Sequence, residues 1–517
     1  MILRGARVVD LGGAPRGGGT GAGAGTGGTA DEPVDLRVAD GRVVAIAPSA
    51  PVGWAGGLRP EAGEMLVDLD GRWVIPGMWD AHAHVGQWAL ARRRLDVAGA
   101  GSAAQVAALV VDRLRTDPPP DGTMLVAFGF RDGLWPVTPT ATLLDDALAV
   151  AGLPPTPVVV VCGDLHSAWL STPAMARLGV APSCTGVVRE DDWFGLMGRL
   201  DDVPPDVLDG WVAQALDDAA ARGVVGVVDY ELADNLLDWQ RRMAAGTRGV
   251  RIAAGLWREH LDDAIARGLA SGDALPATDG LLTMGALKVI SDGSLNTRTA
   301  YCYDPYPGLT GPAAHGVLNV GTDELVPLMA AAARAGIHAA IHAIGDRANA
   351  LALDAFAASG ARGSIEHAQL LDDDDVARFV ALDVAASVQP EHAMDDRDVI
   401  ERFWSDRAER AFPLRRLHEA GVRLLLGSDA PVAPLDPWIA VSAAVDRTKD
   451  GREPWHPEQA LTARVALAAS VRSRVAVGQP ADLAVLDADP LTVHGQGLRA
   501  MPVAGTLLAG TWTHTLG

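Results

Sequence analysis

Eight short apolar runs, at residues 73–79, 224–230, 250–257, 284–291, 337–343, 363–368, 382–389 and 422–428, constrain this chain more than any other feature. Each has the length of a buried strand, and helix-patterned stretches separate them, the alternation that builds a parallel sheet covered by helices. Eight such units predict a (β/α)8 barrel of the TIM type. With 517 residues the chain exceeds one barrel, and the surplus falls in two places. Residues 88–215, between the first and second runs, read as an inserted subdomain that covers the barrel mouth. Both chain ends are β-patterned, at 1–10 and 35–48 and again at 481–487 and 503–510. Neither end holds enough strands to bury a core alone, so 1–72 and 473–517 are expected to form one composite β-sandwich, with 73–472 as the barrel. The Gly/Ala/Thr-rich stretch from Gly12 to Gly28 has no periodicity and reads as a mobile hairpin connection.

The first run continues into Asp80-Ala81-His82-Ala83-His84. Side chains alternate along a strand, so His82 and His84 point the same way. Two imidazoles fixed by one backbone need little further ordering to hold a divalent ion, zinc above all. A chance surface pair is the bland alternative, and Asp80 just upstream is a candidate partner for the ligands.

Other polar residues repeat this placement at strand ends. His342 closes the fifth run, His367 the sixth, and Asp429 follows the eighth in Gly427-Ser428-Asp429. A lone histidine of this kind is more often a hydrogen-bonded core residue than a ligand. A barrel brings its strand ends together, however, and that turns scattered residues into one candidate metal site. Lys288, at the end of the fourth run, would be costly to bury as an ammonium. It has three readings: an ion pair with Asp292, a Schiff-base nucleophile, or a carboxylated lysine bridging two metals. His338 falls on the same strand face as His342, deeper in the barrel, and reads as structural.

Composition excludes several function classes. With 43 basic against 65 acidic residues the formal charge is −22, which argues against nucleic acid as a partner. Cys162, Cys184 and Cys302 are too few and too scattered for a disulfide framework or a cysteine-rich zinc site, which suits a reducing cytoplasm. The N-terminus lacks the apolar segment of a secretory signal and no run is long enough to span a bilayer, so no membrane association is expected. The expected partner is a small-molecule substrate, with homo-oligomerisation left open.

The motifs Met78-Trp-Asp-Ala-His-Ala-His84, Lys288 with Asp292-Gly-Ser294, His342-Ala-Ile-Gly-Asp-Arg-Ala348, Ile365-Glu-His-Ala368 and Gly427-Ser-Asp-Ala-Pro431 together resemble the amidohydrolase superfamily, in its YtcJ-like branch of metal-dependent hydrolases (amidohydrolase family 3). The closing segment Gly478–Asp487 is similar as well. The resemblance implies that His82, His84 and Asp429 hold one metal, that Lys288 is carboxylated and bridging, and that His342 and His367 hold a second. It implies one or two divalent ions, zinc first, with Asp429, His342 and His367 as catalytic residues. A divalent ion supplies both an activated water and a polarised carbonyl, and Asp429 would take the proton and pass it to a departing nitrogen. His166, Trp169, Arg298 and His392 are the substrate-binding candidates, with Trp135 a further candidate pocket wall. The implied activity is hydrolysis of a non-peptide carbon–nitrogen bond in an amide, formamide or cyclic amide. An aminohydrolase acting on a ring and a non-catalytic ligand-binding barrel are the rivals.

Overall fold

The computed structural model describes residues 1–12, 32–49, 57–120, 123–197, 199–200 and 203–515. Beyond Gly12, the stretch expected to be a hairpin connection lies outside the described residues.

Eight parallel strands follow one another around a barrel: Met78–Ala83, Val224–Asp229, Arg251–Leu256, Leu282–Ile290, Ala339–Ala343, Gly363–His367, Ala385–Val388 and Leu424–Leu426. A bridge between Ala83 and Ala430 links the last strand back to the first. Outward-facing Leu, Ile and Val from these strands, such as Ile252, Leu282, Ile341 and Ile365, are buried in one core under the surrounding helices. Side-chain alternation leaves the inward face for the residues that carry chemistry.

Seven of the eight expected runs coincide with barrel strands, but the first does not. It divides at Gly77. Trp73–Pro76 pairs with Ile2–Val8 and Leu483–Leu486 in the sheet built from the chain ends, and the barrel begins only at Met78. An apolar run carries no mark of which sheet will bury it, so the division was invisible in the pattern. The glycine permits it, because a β-carbon on Gly77 would lie 2.3 Å from a methyl of Val225.

The terminal sheet has eight strands, drawn from both ends of the chain. Leu3, Leu36, Val74, Leu483, Val485 and Leu507 bury its core. Arg251 at the start of a barrel strand pairs with Asp482 at 2.6 Å, and Thr506 donates to the carbonyl of Ala220, so sheet and barrel are tied together.

Between the first two barrel strands the chain forms a separate five-stranded sheet of Leu95–Asp96, Leu125–Phe130, Val158–Cys162, Ser167–Leu170 and Val187–Arg189. The helix Ala103–Thr116 is capped by Ser102, whose hydroxyl accepts from the amide of Gln105, and its buried stripe of Val106, Val110 and Leu114 shares a core with Val158 and Val160. Trp135 and Trp169 belong to that core. Trp169 is fully buried and donates its indole N–H to the carbonyl of Thr140 at 3.0 Å. It is therefore a packing residue of the insertion, contrary to the expectation that it would contact substrate. Among the described residues no helix is long and apolar enough to cross a membrane.

Candidate active site

The strand ends converge as the barrel requires. His82 Nε2 and His84 Nε2 lie 3.4 and 3.3 Å from one oxygen of Asp429, and all three side chains are buried. The loop after the last strand delivers Asp429 with the left-handed φ of +57°. Asp80 holds that loop in place, because its carboxylate accepts from the amides of both His82 and Ser428 at 3.0 Å. The Asp429 amide in turn donates to the carbonyl of His82 at 2.6 Å. Gly427 is required for this close approach, since a β-carbon there would stand 2.7 Å from the amide nitrogen of His82. Burial pushes Asp80 up to about 6.

On the other side of Asp429 stand His367 and His392. Their ligand atoms and a carboxylate oxygen of Asp429 form a second buried group whose members all lie within 4.8 Å of one another, as they do in the group of His82, His84 and Asp429. His392, expected to contact substrate, thus joins His367 in this group, which His342 does not enter. His342 instead directs Nε2 to within 3.4 Å of Asp292 and packs edge-on against His367, ring centroids 4.5 Å apart.

Lys288 makes no ion pair with Asp292. Its Nζ lies 3.1 Å from Nε2 of His82 and above the Tyr230 ring, while Asp292 accepts from the amides of Tyr301, Ile344 and Gly345. Burial lowers Lys288 to about 8 and raises Asp292 to about 7, so near neutral pH the lysine stays mainly charged while the carboxyl is only partly ionised, which weakens any attraction between the two.

The electrostatics suit a cation. Burial lowers His82, with Lys288 adding to it, and burial holds His342 and His367 well below their ordinary value, so these imidazoles are neutral donors. Burial works to raise the Asp429 carboxyl, but His82, His84 and His367 overcome it and hold it well below the usual range. The ring nitrogens His84 Nδ1, His342 Nε2, His367 Nδ1 and His392 Nε2 are buried and have no hydrogen-bond partner among the described residues. A buried polar atom left in that condition costs about 1–3 kcal/mol, and three of the four, on His342, His367 and His392, belong to residues lining one cavity, which fits a site organised to ligate an ion. His82 Nδ1 pairs with Glu366 at 2.7 Å, and Glu366 is held by Ser364, the outer carboxylate that orients a ligating histidine.

The insertion closes the site from above. His166 sits over His342, ring centroids 5.5 Å apart, and its Nδ1 lies 2.9 Å from Glu190. Burial opposes the charge on His166, but Glu190 outweighs it and raises the imidazole to about 9. Glu190 and Asp164 fasten the insertion to the loop after the fourth barrel strand by accepting from Thr299 and Ser294 at 2.6 and 2.7 Å. The cavity wall includes Arg131, paired with Asp395 at 3.1 Å and Asp396 at 3.5 Å. Arg298, the arginine expected there, lies over the Phe403 ring outside the cavity wall. His338 is exposed at the far end of its strand, ahead of Ala339 where the barrel interior begins, so it does not lie deep in the barrel.

Sequence reasoning missed Glu366, Glu190 and Arg131. Glu366 had a usable signal, since it adjoins His367 on a strand and so had to face differently. Glu190 and Arg131 had none, because their neighbours are set by the fold of the insertion.

A family model described as "Amidohydrolase family" matches residues 65–514. The chain is 25% identical over 495 residues to YtcJ of Bacillus subtilis (strain 168), an amidohydrolase by name, covering 87% of this chain and 90% of that one. It is also 25% identical over 526 residues to the N-substituted formamide deformylase of Arthrobacter pascens, covering 92% of this chain and 94% of that one. Among solved structures, an uncharacterized metal-dependent hydrolase from Pyrococcus horikoshii OT3 superposes with a TM-score of 0.70 at 27% identity, covering 89% of this chain and 94% of that one. A barrel whose strand ends gather His82, His84 and Asp429, matched by that model over nearly its whole length, belongs to the amidohydrolase family.

Proposed function

We propose that the protein hydrolyses a non-peptide carbon–nitrogen bond with the help of a divalent ion, zinc by preference, and that its substrates are amides, formamides or cyclic amides. The observation that carries this reading is the buried group of His82, His84 and Asp429, with His367 and His392 on the second side of the same carboxylate. Nitrogen-rich donors with one carboxylate suit zinc. The N-substituted formamide deformylase relative supports a small acyl group.

An ion held by His82, His84 and Asp429 would make water nucleophilic at neutral pH and polarise a carbonyl. The chain's own residues supply the rest. Asp429, ionised and within reach of both histidines, accepts the proton of the attacking water and returns it to the leaving nitrogen. His166, cationic at neutral pH and steadied by Glu190, donates a hydrogen bond from Nε2 to the substrate. Lys288, buried and lowered to about 8, has an appreciable neutral fraction, the form that reacts with carbon dioxide to give a carbamate and a proton. We take that carbamate, together with His342, His367 or His392, as the means of holding a second ion.

The test is metal analysis of the purified protein followed by a screen of N-formyl, N-acyl and cyclic amides, with amine and ammonia release both followed. Amine release with bound zinc is the expected result. Ammonia release from a ring would replace this reading by an aminohydrolase, and metal without turnover on any substrate would replace it by a binding barrel.

A further inference from the structure

The opposite end of the barrel carries charge that catalysis does not use. His338, Arg362 and Arg423 each stand one residue ahead of a barrel strand. Alternation aims all three towards the barrel axis. Arg362 shares its strand face with Ser364 and Glu366, whose carboxylate reaches His82 inside the barrel. His338 shares its face with Ala340 and His342. Arg423 alternates with Leu424, which is buried in the outer core. Arg472 joins them, its guanidinium 3.9 Å above the Trp79 ring, and Gly226 leaves the room this indole needs, because a β-carbon there would lie 2.3 Å from it. Trp79 packs with Val228, Tyr230, Ala253 and Ala340 and so plugs the barrel between this face and Lys288.

All four residues reach solvent, with His338 and Arg472 packed closely enough for burial to lower both, and among the described residues none of them forms an ion pair. The chain has 65 acidic against 43 basic residues, and arginines elsewhere pair closely, as Arg222 does with Asp436 at 2.7 Å. Asp383, ahead of the intervening strand Ala385–Val388, is the acidic neighbour in sequence order around the barrel, and it pairs with none of them. The positive field is felt locally: burial lowers His338, and Arg362 and Arg423 lower it further. Like charges kept near one another without a counter-charge repel even in water. An anion removes that cost.

We propose that this N-terminal barrel face is an anion site, built by Arg362, Arg423, Arg472 and His338, for a multiply charged phosphate-type oxyanion. Guanidinium forks match phosphate oxygens in bidentate fashion, and three of them favour a dianion or trianion over a single carboxylate. The site is independent of the catalytic reading.

The test uses the full-length protein with inorganic phosphate and pyrophosphate, read by calorimetry and by thermal shift. Pyrophosphate is expected to bind more tightly than phosphate. Arg362→Gln and Arg423→Gln should each weaken it by about 10-fold or more while leaving turnover unchanged, which separates this site from any anion bound at the catalytic centre. Asp383→Asn should tighten it. Co-sedimentation with vesicles of phosphatidylcholine, with and without a phosphoinositide, distinguishes a lipid headgroup from a soluble phosphate: retention on the phosphoinositide vesicles assigns the first, free-anion binding without retention the second. No pyrophosphate binding to the unaltered protein, or equal binding by both glutamine variants, would overturn the proposal.

Discussion

Two buried histidine–carboxylate pairs serve the site, one on the barrel and one on the insertion, and they have opposite protonation. His82 meets Glu366 at 2.7 Å on the barrel, and His166 meets Glu190 at 2.9 Å on the insertion. The first imidazole is lowered and neutral, and the second is raised to about 9 and charged. Both partners are carboxylates, but the barrel pair is the more deeply buried, its side chains 1% exposed against 10% for the pair on the insertion, and the next charges add to that difference. Asp429 favours the charge on both imidazoles, but Lys288 stands 3.1 Å from His82 and opposes a second positive charge there, whereas His166 has Asp164 as a further anion in its field. A histidine–carboxylate pair therefore has no fixed role. The next charge decides whether the imidazole is a ligand or a donor.

The strongest way to break the comparison is to remove the two histidines at the end of the first barrel strand. His82→Ala with His84→Ala should abolish bound metal and lower turnover by at least ~10³-fold, about 4 kcal/mol of barrier. Circular dichroism should remain that of a folded barrel. Metal retained at full stoichiometry would end the ligand assignment.

Glu366→Gln tests the orienting carboxylate. Loss of an outer partner of this type lowers metal affinity by about 10–100-fold, and competition with a chelator of known affinity measures it. The matching change on the insertion, Glu190→Gln, should leave metal affinity within about twofold and lower kcat by about 10–100-fold. Equal effects of the two variants on metal binding would erase the distinction between the pairs.

The charge on His166 predicts a pH dependence of stability. Its folded pKa, about 9, lies above the unfolded value near 6.5, so the pair's contribution is fully present below about pH 6.5 and is lost as pH rises through about 9. Metal-free protein should accordingly lose up to about 3 kcal/mol of unfolding free energy between pH 6.5 and 9.5. Glu190→Gln should flatten that slope, and urea titrations at the two pH values would show it. A bound cation would oppose the charge on His166, which is why the metal-free form is the informative one.

The smallest effect concerns Trp169, which sequence reasoning assigned to substrate. Trp169→Phe removes its hydrogen bond to Thr140 and should cost about 1 kcal/mol of stability with kcat/KM unchanged. A change in substrate preference would return Trp169 to the cavity.

Pattern alone determined the barrel and the candidates His82, His84, His342, His367 and Asp429, because a strand's period of two fixes which residues share a face and barrel closure gathers the strand ends. It could not divide 73–79 between two sheets, since both sides of that run are apolar and only the space beside Val225 requires Gly77 to be the break. Nor could it show that Lys288 adjoins His82 rather than Asp292, or that His392 shares Asp429 with His367. Those are neighbours across strands, set by tilt and stagger around the barrel. The insertion lay furthest from view. Its strands were absent from the expected set, and Glu190 reaches His166 only because Ser167–Leu170 and Val187–Arg189 pair antiparallel. Local spacing determines what a residue offers, and tertiary structure decides which charge it meets.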